Sequence, residues 1–193
     1  NSLYSLRSLA DYEDVDLDYP ISYADLFTGV SFSKHNFNGV PEESNLGDYP
    51  SFIKRIKTEN PNTTIGVFSG NESAVSSLAA EADVKNFGIQ DSEVIEKATA
   101  YLKSEHPEVV VVNLVDADKV GQEVGYSTEN AAYAEAIVDV DTKIKTIKTA
   151  LESRETYKEE NWLVIITSTQ GANAENGTLG STAYDDLRKN TFT

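Results

Sequence analysis

Cysteine and methionine are both missing from this chain, and histidine occurs only twice. The lack of cysteine excludes disulfides, thiolate metal sites and a cysteine nucleophile. Positive charge is scarce. Sixteen Lys+Arg stand against 32 Asp+Glu, a formal net charge of −16 and a pI near 4.4. Binding to DNA, RNA or anionic lipid needs clustered cations, so the composition argues against those partners. No apolar run reaches the roughly 18–20 residues of a membrane span. No basic segment followed by an apolar one opens the chain. The start at Asn1, in NSLYSLRSLADY, reads as mid-protein, so a mature or trimmed fragment is expected, incomplete at its N-terminus.

What is present is a globular composition: 39% hydrophobic and 25% charged residues over 193 positions, which predicts one domain over 1–193. Phe52, Ile53 and Ile56 lie among Lys54, Arg55 and Lys57 in a short amphipathic helix, which Asn60-Pro61-Asn62 breaks. A β-branched strand follows over 63–68, then Ser69-Gly70-Asn71 and a helix over 72–82. Ser92 is expected to cap a helix running to Ser104, ended by His106-Pro107. The run VVVVNLV, within 108–115, predicts a central parallel strand buried on both faces. A long helix is predicted from Ser127-Thr128 to Arg154, with Tyr133, Ala136, Ile137, Val140, Ile144, Ile147 and Leu151 at 3–4 spacing. Trp162-Leu163-Val164-Ile165-Ile166-Thr167 predicts a second buried strand, and the glycine-bearing stretch 170–180 a loop. Strand, helix and strand in alternation imply an α/β fold: three layers, α/β/α, around a mainly parallel sheet.

In such a sheet chemistry gathers beyond the carboxyl ends of the strands. VVVVNLV leads into a loop at Asp116-Ala117-Asp118-Lys119-Val120-Gly121-Gln122-Glu123-Val124-Gly125-Tyr126, and WLVIIT into Ser168-Thr169-Gln170-Gly171. A third stretch, LFTGVSFSKH over 26–35, reads as a strand or helix end entering a loop.

These three stretches, in this order, resemble the alkaline phosphatase superfamily, particularly its phosphodiesterase/nucleotide pyrophosphatase branch. That branch carries Leu-x-Thr-Gly before a Lys/Ser-His pair, Asp-x-x-Gly-His-x-x-Gly after a central strand, and Ser-Asp-His-Gly after a later one. The likeness runs over 20–171. The phrases NLGDYPSF and RETYKEENWLVIITS resemble members that are secreted proteins or surface lipoproteins of Bacteroidetes, which implies an extracytoplasmic location in the periplasm or at the cell surface. The resemblance implies an alkaline phosphatase-like fold and two divalent metals, usually zinc, held by Asp and His.

The departures fall on the ligands. Asp118 is retained, but Gln122 stands at the histidine position, and Thr169 and Gln170 replace the later Asp-His pair. The family's nucleophilic Thr or Ser would fall at Asp18 or Tyr19, with Ser22 out of register. Two histidines are too few for the family's three, and His35 matches a step that is mostly structural. A neutral amide is a poor zinc ligand. The expectation is therefore a degenerate site at Asp118, Gln122, Thr169 and Gln170, with no catalytic residue and no cofactor. Asp118 is the one candidate for zinc or another divalent cation.

Other features have plainer readings. The acidic run Asp11, Glu13, Asp14, Asp16, Asp18 suggests a calcium loop, but Tyr19 stands where an EF-hand needs glycine. Ser69-Gly70-Asn71 suggests an anion cradle or an ordinary helix cap. Tyr4, Tyr12, Tyr19 and Tyr23 suggest sugar stacking or core packing.

Three functions follow. The first is a non-catalytic alkaline phosphatase-like module with a binding or structural role, taking a small molecule or glycan. The second is a metal-dependent phosphohydrolase whose other site residues lie outside this chain. The third is an acidic domain that binds a basic partner.

Overall fold

A computed structural model describes residues 19–169 and Gly171. The acidic run 11–18, Tyr4, Tyr12, Gln170 and the rest of the 170–180 loop lie outside the described residues. The chain divides into two compact units, one of Asn1–Phe52 with Val164–Thr193, the other of Ile53–Leu163.

In the first unit, helix α1 (Tyr19–Thr28) buries Ile21, Tyr23, Ala24 and Phe27, and the single-turn α2 (Phe32–His35) follows. The stretch 26–35 is therefore helical on both sides of its turn. His35 is fully buried. Its Nδ1 accepts the Phe37 backbone N–H at 2.9 Å, which leaves the proton on Nε2, 2.8 Å from Asp25 Oδ1. Asn36 ends α2 in the left-handed region, φ 48°, a conformation asparagine tolerates. Phe27 and Phe52 pack with ring centres 5.2 Å apart.

The second unit starts from α3, whose full span is Phe52–Glu59. Its sheet has three parallel strands in the order β2-β1-β3: β1 is Ile65–Ser69, β2 Val84–Phe87 and β3 Val109–Asn113. This is an α/β fold with a parallel sheet. All five residues of β1 are buried. Phe68 forms a cluster with Val94, Ala98 and Tyr101 of α4 (Asp91–Ser104), and Val110 and Val112 of β3 pack against it. Gly66 has no room for a side chain, because a Cβ there would collide with the Tyr101 ring. Helix α5 spans Asp116–Val124 and α6 spans Ala131–Glu152, with Asn130 capping α6 by accepting the Ala132 N–H at 3.0 Å.

Several expectations need correction. β3, expected at the centre, is one of the two outer strands among the described residues, and all its residues are only half-buried. Burial on both faces depends on neighbours, and the centre went to β1 through β2, a strand the sequence reading missed. β2 carries Lys85 and Asn86 and has no apolar run to announce it. The stretch 72–82 makes hydrogen-bonded turns rather than an α-helix, with Ser76 N–H to Glu72 and Ala79 N–H to Val75. Ser92 lies inside α4, whose cap is Gln90.

The largest departure is at 162–167, which forms no strand. Leu163 is 81% exposed, Val164 61%, Ile165 64% and Ile166 46%. A strand needs a neighbouring ladder for its N–H and C=O groups, which apolar composition cannot supply. The boundary between the two units falls inside this segment, between Leu163 and Val164.

Arg154 fastens the end of the second unit. Its guanidinium donates to the Leu102 and Glu105 carbonyls at the C-terminus of α4, pairs with Glu160 at 2.6 Å, and lies 5.6 Å from the centre of the Trp162 ring. Hydrogen bonds from Arg154, Thr156 and Trp162 pull the Glu160 carboxyl from 4.5 down to about 2. A lowered folded-state pKa gives stability above the unfolded value, and that stability is lost as pH falls through the folded one. Glu160→Gln should therefore lower Tm at pH 7, with the gap to wild type closing between pH 4.5 and 2 in thermal melts. A gap that persists at pH 2 would disprove the assignment.

Candidate functional site

The carboxyl ends of β1 and β3 meet in a polar junction. Ser69 is fully buried and donates through Oγ to Asn71 O at 2.7 Å or Asn113 Oδ1 at 2.8 Å, while accepting the Asn71 N–H at 3.0 Å. Gly70 N–H donates to Asn113 O at 3.1 Å. The Ser69-Gly70-Asn71 turn thus spends the Gly70 and Asn71 N–H groups inside the protein, which argues against an anion cradle, and the turns that follow give it no α-helix to cap. A Cβ on Gly70 would collide with Val115, so the close approach of the two strand ends requires glycine here.

Asp91 sits beneath this junction with no solvent exposure. Its carboxylate accepts the Val115 N–H at 2.9 Å on Oδ1 and the Asp116 N–H at 3.0 Å on Oδ2. It therefore caps α5 from another element, satisfying donors at the helix N-terminus that have no partner within the helix. Lys143 of α6 closes the arrangement, with Nζ 3.7 Å from Asp91, 3.3 Å from Asp116 and 2.5 Å from Asp139. Burial alone would lower the Lys143 ammonium. The hydrogen bond to Asp139, the Asp91 charge and the hydrogen bond to Asp116 outweigh it and hold the group above its usual 10.5.

On this base sits Asp118. The sequence reading placed it in a loop, but it lies in the first turn of α5, where its negative charge suits the helix dipole. Its Oδ2 accepts the Gln122 Nε2–H at 2.7 Å, one turn along, and its Oδ1 accepts the Tyr126 hydroxyl at 2.7 Å. Gly125, φ 89°, turns the chain back so that Tyr126 reaches the helix it has just left. Gly121 is buried beneath the phenol, and a Cβ there would collide with the ring. Tyr133 of α6 meets Tyr126 edge to face, ring centres 5.6 Å apart. Burial first, and then the Asp118 charge, push the Tyr133 phenol above 10.0.

Of the four expected site positions, Asp118 and Gln122 are brought into direct contact. Thr169 is half-buried and belongs to the other unit, and Gln170 lies outside the described residues. Of the nucleophile positions, Asp18 is not described, Tyr19 opens α1, and Ser22 is buried within it. His106 is exposed, with Nδ1 3.5 Å from the Arg154 guanidinium. The sequence reading missed Asp91, Lys143 and Tyr126. Tyr126 had a signal, since it directly follows the Asp-x-x-Gly-x-x-x-Gly stretch. Asp91 and Lys143 had none, because their meeting depends on how α4 and α6 pack.

A parallel sheet with an acidic helix beyond its outer strand defines the class, an α/β protein with its candidate site at the strand ends. The family model for type I phosphodiesterase / nucleotide pyrophosphatase matches residues 25–189, and the chain belongs to that family, within the alkaline phosphatase superfamily. No curated protein and no solved structure matches the chain.

The pair of divalent metals that this family implies does not fit the described residues around Asp118. Asp118 is shared between an amide and a phenol, and Gln122 offers no imidazole. Among the described residues no three His, Asp or Glu are grouped so as to hold a metal ion. The carboxylates of Asp91, Asp116 and Asp139 surround the Lys143 ammonium instead.

The buried cap can be tested directly. Asp91→Asn removes the charge and leaves one of its two N–H partners facing an amide NH2. Urea denaturation should show a loss of about 2–4 kcal/mol. Asp139→Asn, at the exposed side of Lys143, should cost about 0.5–1 kcal/mol. Equal losses would show that Asp91 is not the anchor.

Proposed function

We propose that this chain is a non-catalytic member of its family, an alkaline phosphatase-like module with a binding or structural role in an exported bacterial protein. The observation that carries this reading is the engagement of Asp118 by Gln122 and Tyr126, at a position where the resemblance implies one of the family's metal ligands. A phosphodiesterase of this type uses metal ions to stabilise charge on the transferring group and to lower the pKa of a nucleophile. With an amide at Gln122 and a hydroxyl at Thr169, those tasks have no agent among the described residues. The likeness of NLGDYPSF and RETYKEENWLVIITS to secreted and surface proteins supports an extracytoplasmic location, and a small molecule or glycan as ligand.

Membership of the family favours a second reading: a metal-dependent phosphohydrolase completed by residues outside this chain. The two separate in one experiment. Purified protein is assayed for metal content and for hydrolysis of bis(p-nitrophenyl) phosphate with added zinc, magnesium or manganese. The expected result is no turnover above an Asp118→Asn control and no stoichiometric metal. Turnover abolished by Asp118→Asn would establish the phosphohydrolase instead.

A further inference from the structure

We infer that Gln122 and Tyr126 have taken the place of a cation at Asp118, so that the α5 end is closed by a protein-only clasp that does not take up divalent metal. The inference rests on the non-catalytic reading and says what the retained acid does.

A first-turn carboxylate on a half-exposed helix ordinarily needs no partner, because water and the helix dipole suffice. Here each oxygen accepts a hydrogen bond at 2.7 Å. Bonds to a charged acceptor are roughly twice as strong as neutral ones. The geometry around them is built rather than incidental. Gly121 leaves space for the Tyr126 ring, Gly125 provides the turn with its positive φ, and Tyr133 meets the ring edge to face. Asn130, the cap of α6, also donates through Nδ2 to Val124 O at 3.1 Å, tying the return turn to the next helix. A metal ion ties together groups from different segments, and the clasp does the same for the end of α5 and the start of α6.

A cation arriving at Asp118 would have to displace an amide and a phenol that are already placed. Among the described residues it would gain one carboxylate and an amide oxygen, a set that zinc does not favour. The clasp therefore makes the loss of the imidazole structurally tolerable, since loop closure no longer depends on metal.

A double-mutant cycle on the full chain, melted with zinc chloride and with EDTA, tests this. Asp118→Asn and Tyr126→Phe should each lower Tm by about 3–6 °C. The double variant should melt no lower than the weaker single, because both changes break one interaction. Zinc should shift wild-type Tm by less than about 1 °C, because a ligand that does not bind the folded state cannot stabilise it. Additive losses would overturn the clasp, as would a zinc-induced rise in Tm that Asp118→Asn abolishes. Should Asp118→Asn not fold, the Tyr126 hydroxyl proton in NMR decides. It is assigned by its loss in Tyr126→Phe and should not move with zinc; a zinc-induced shift or loss would refute the clasp. Zinc binding at Asp118 without turnover would end this inference and leave the non-catalytic reading. Turnover insensitive to Asp118 would do the reverse.

Discussion

A carboxylate with no access to water organises the second unit of this protein. Asp91 opens α4, yet its oxygens serve the backbone that leaves β3 and enters α5. A buried charge is costly unless hydrogen bonds and an opposite charge compensate it. Two adjacent backbone donors, Val115 and Asp116, and the Lys143 ammonium from α6 provide that compensation. The requirement fixes the turn after β3, sets the direction of α5, and brings α6 alongside with its lysine inward.

The candidate site inherits its shape from that turn. Once α5 starts at Asp116, residues one turn apart share a face, so Asp118 and Gln122 meet without further help. Tyr126 reaches them only because Gly121 and Gly125 permit the ring and the turn. The outcome is a family scaffold in which Asp118 is held by an amide and a phenol. Metal-assisted phosphoryl chemistry depends on carboxylate and imidazole donors left available for cations. The shape of the second unit itself rests on the core around Phe68 and on the buried cap.

The first unit offers a parallel in histidine. His35 follows a Leu-x-Thr-Gly motif that suggests chemistry, but it is fully buried and both its ring nitrogens are engaged, one with Asp25 and one with the Phe37 backbone. Its role there is to tie α1 to the loop beyond α2, a structural use of an imidazole with two directed bonds. Neither of the chain's histidines is placed as a proton carrier or ligand among the described residues.

Much of the secondary structure was legible because periodicity is a local property. The amphipathic spacing of α3, α4 and α6 and the β-branched run of β1 each follow from residues within a few positions of one another, as does the family likeness carried by short motifs. Sheet order and partner choice were not legible. Four consecutive valines mark β3 as strand but cannot say that it lies outside β1. The run at 162–167 has the composition of a strand and remains exposed, because a ladder requires a second backbone at the right distance. The sequence by itself determined which residue types are available to the site: an acid, an amide, a phenol and no thiol. The folded chain shows that the turn after α5 brings the phenol back to the acid, and that a lysine lies among three carboxylates. The Lys143 contacts to Asp91 and Asp116 join residues distant in the chain, and packing alone sets their separation, whereas Asp118, Gln122 and Tyr126 belong to one helix and the turn that follows it.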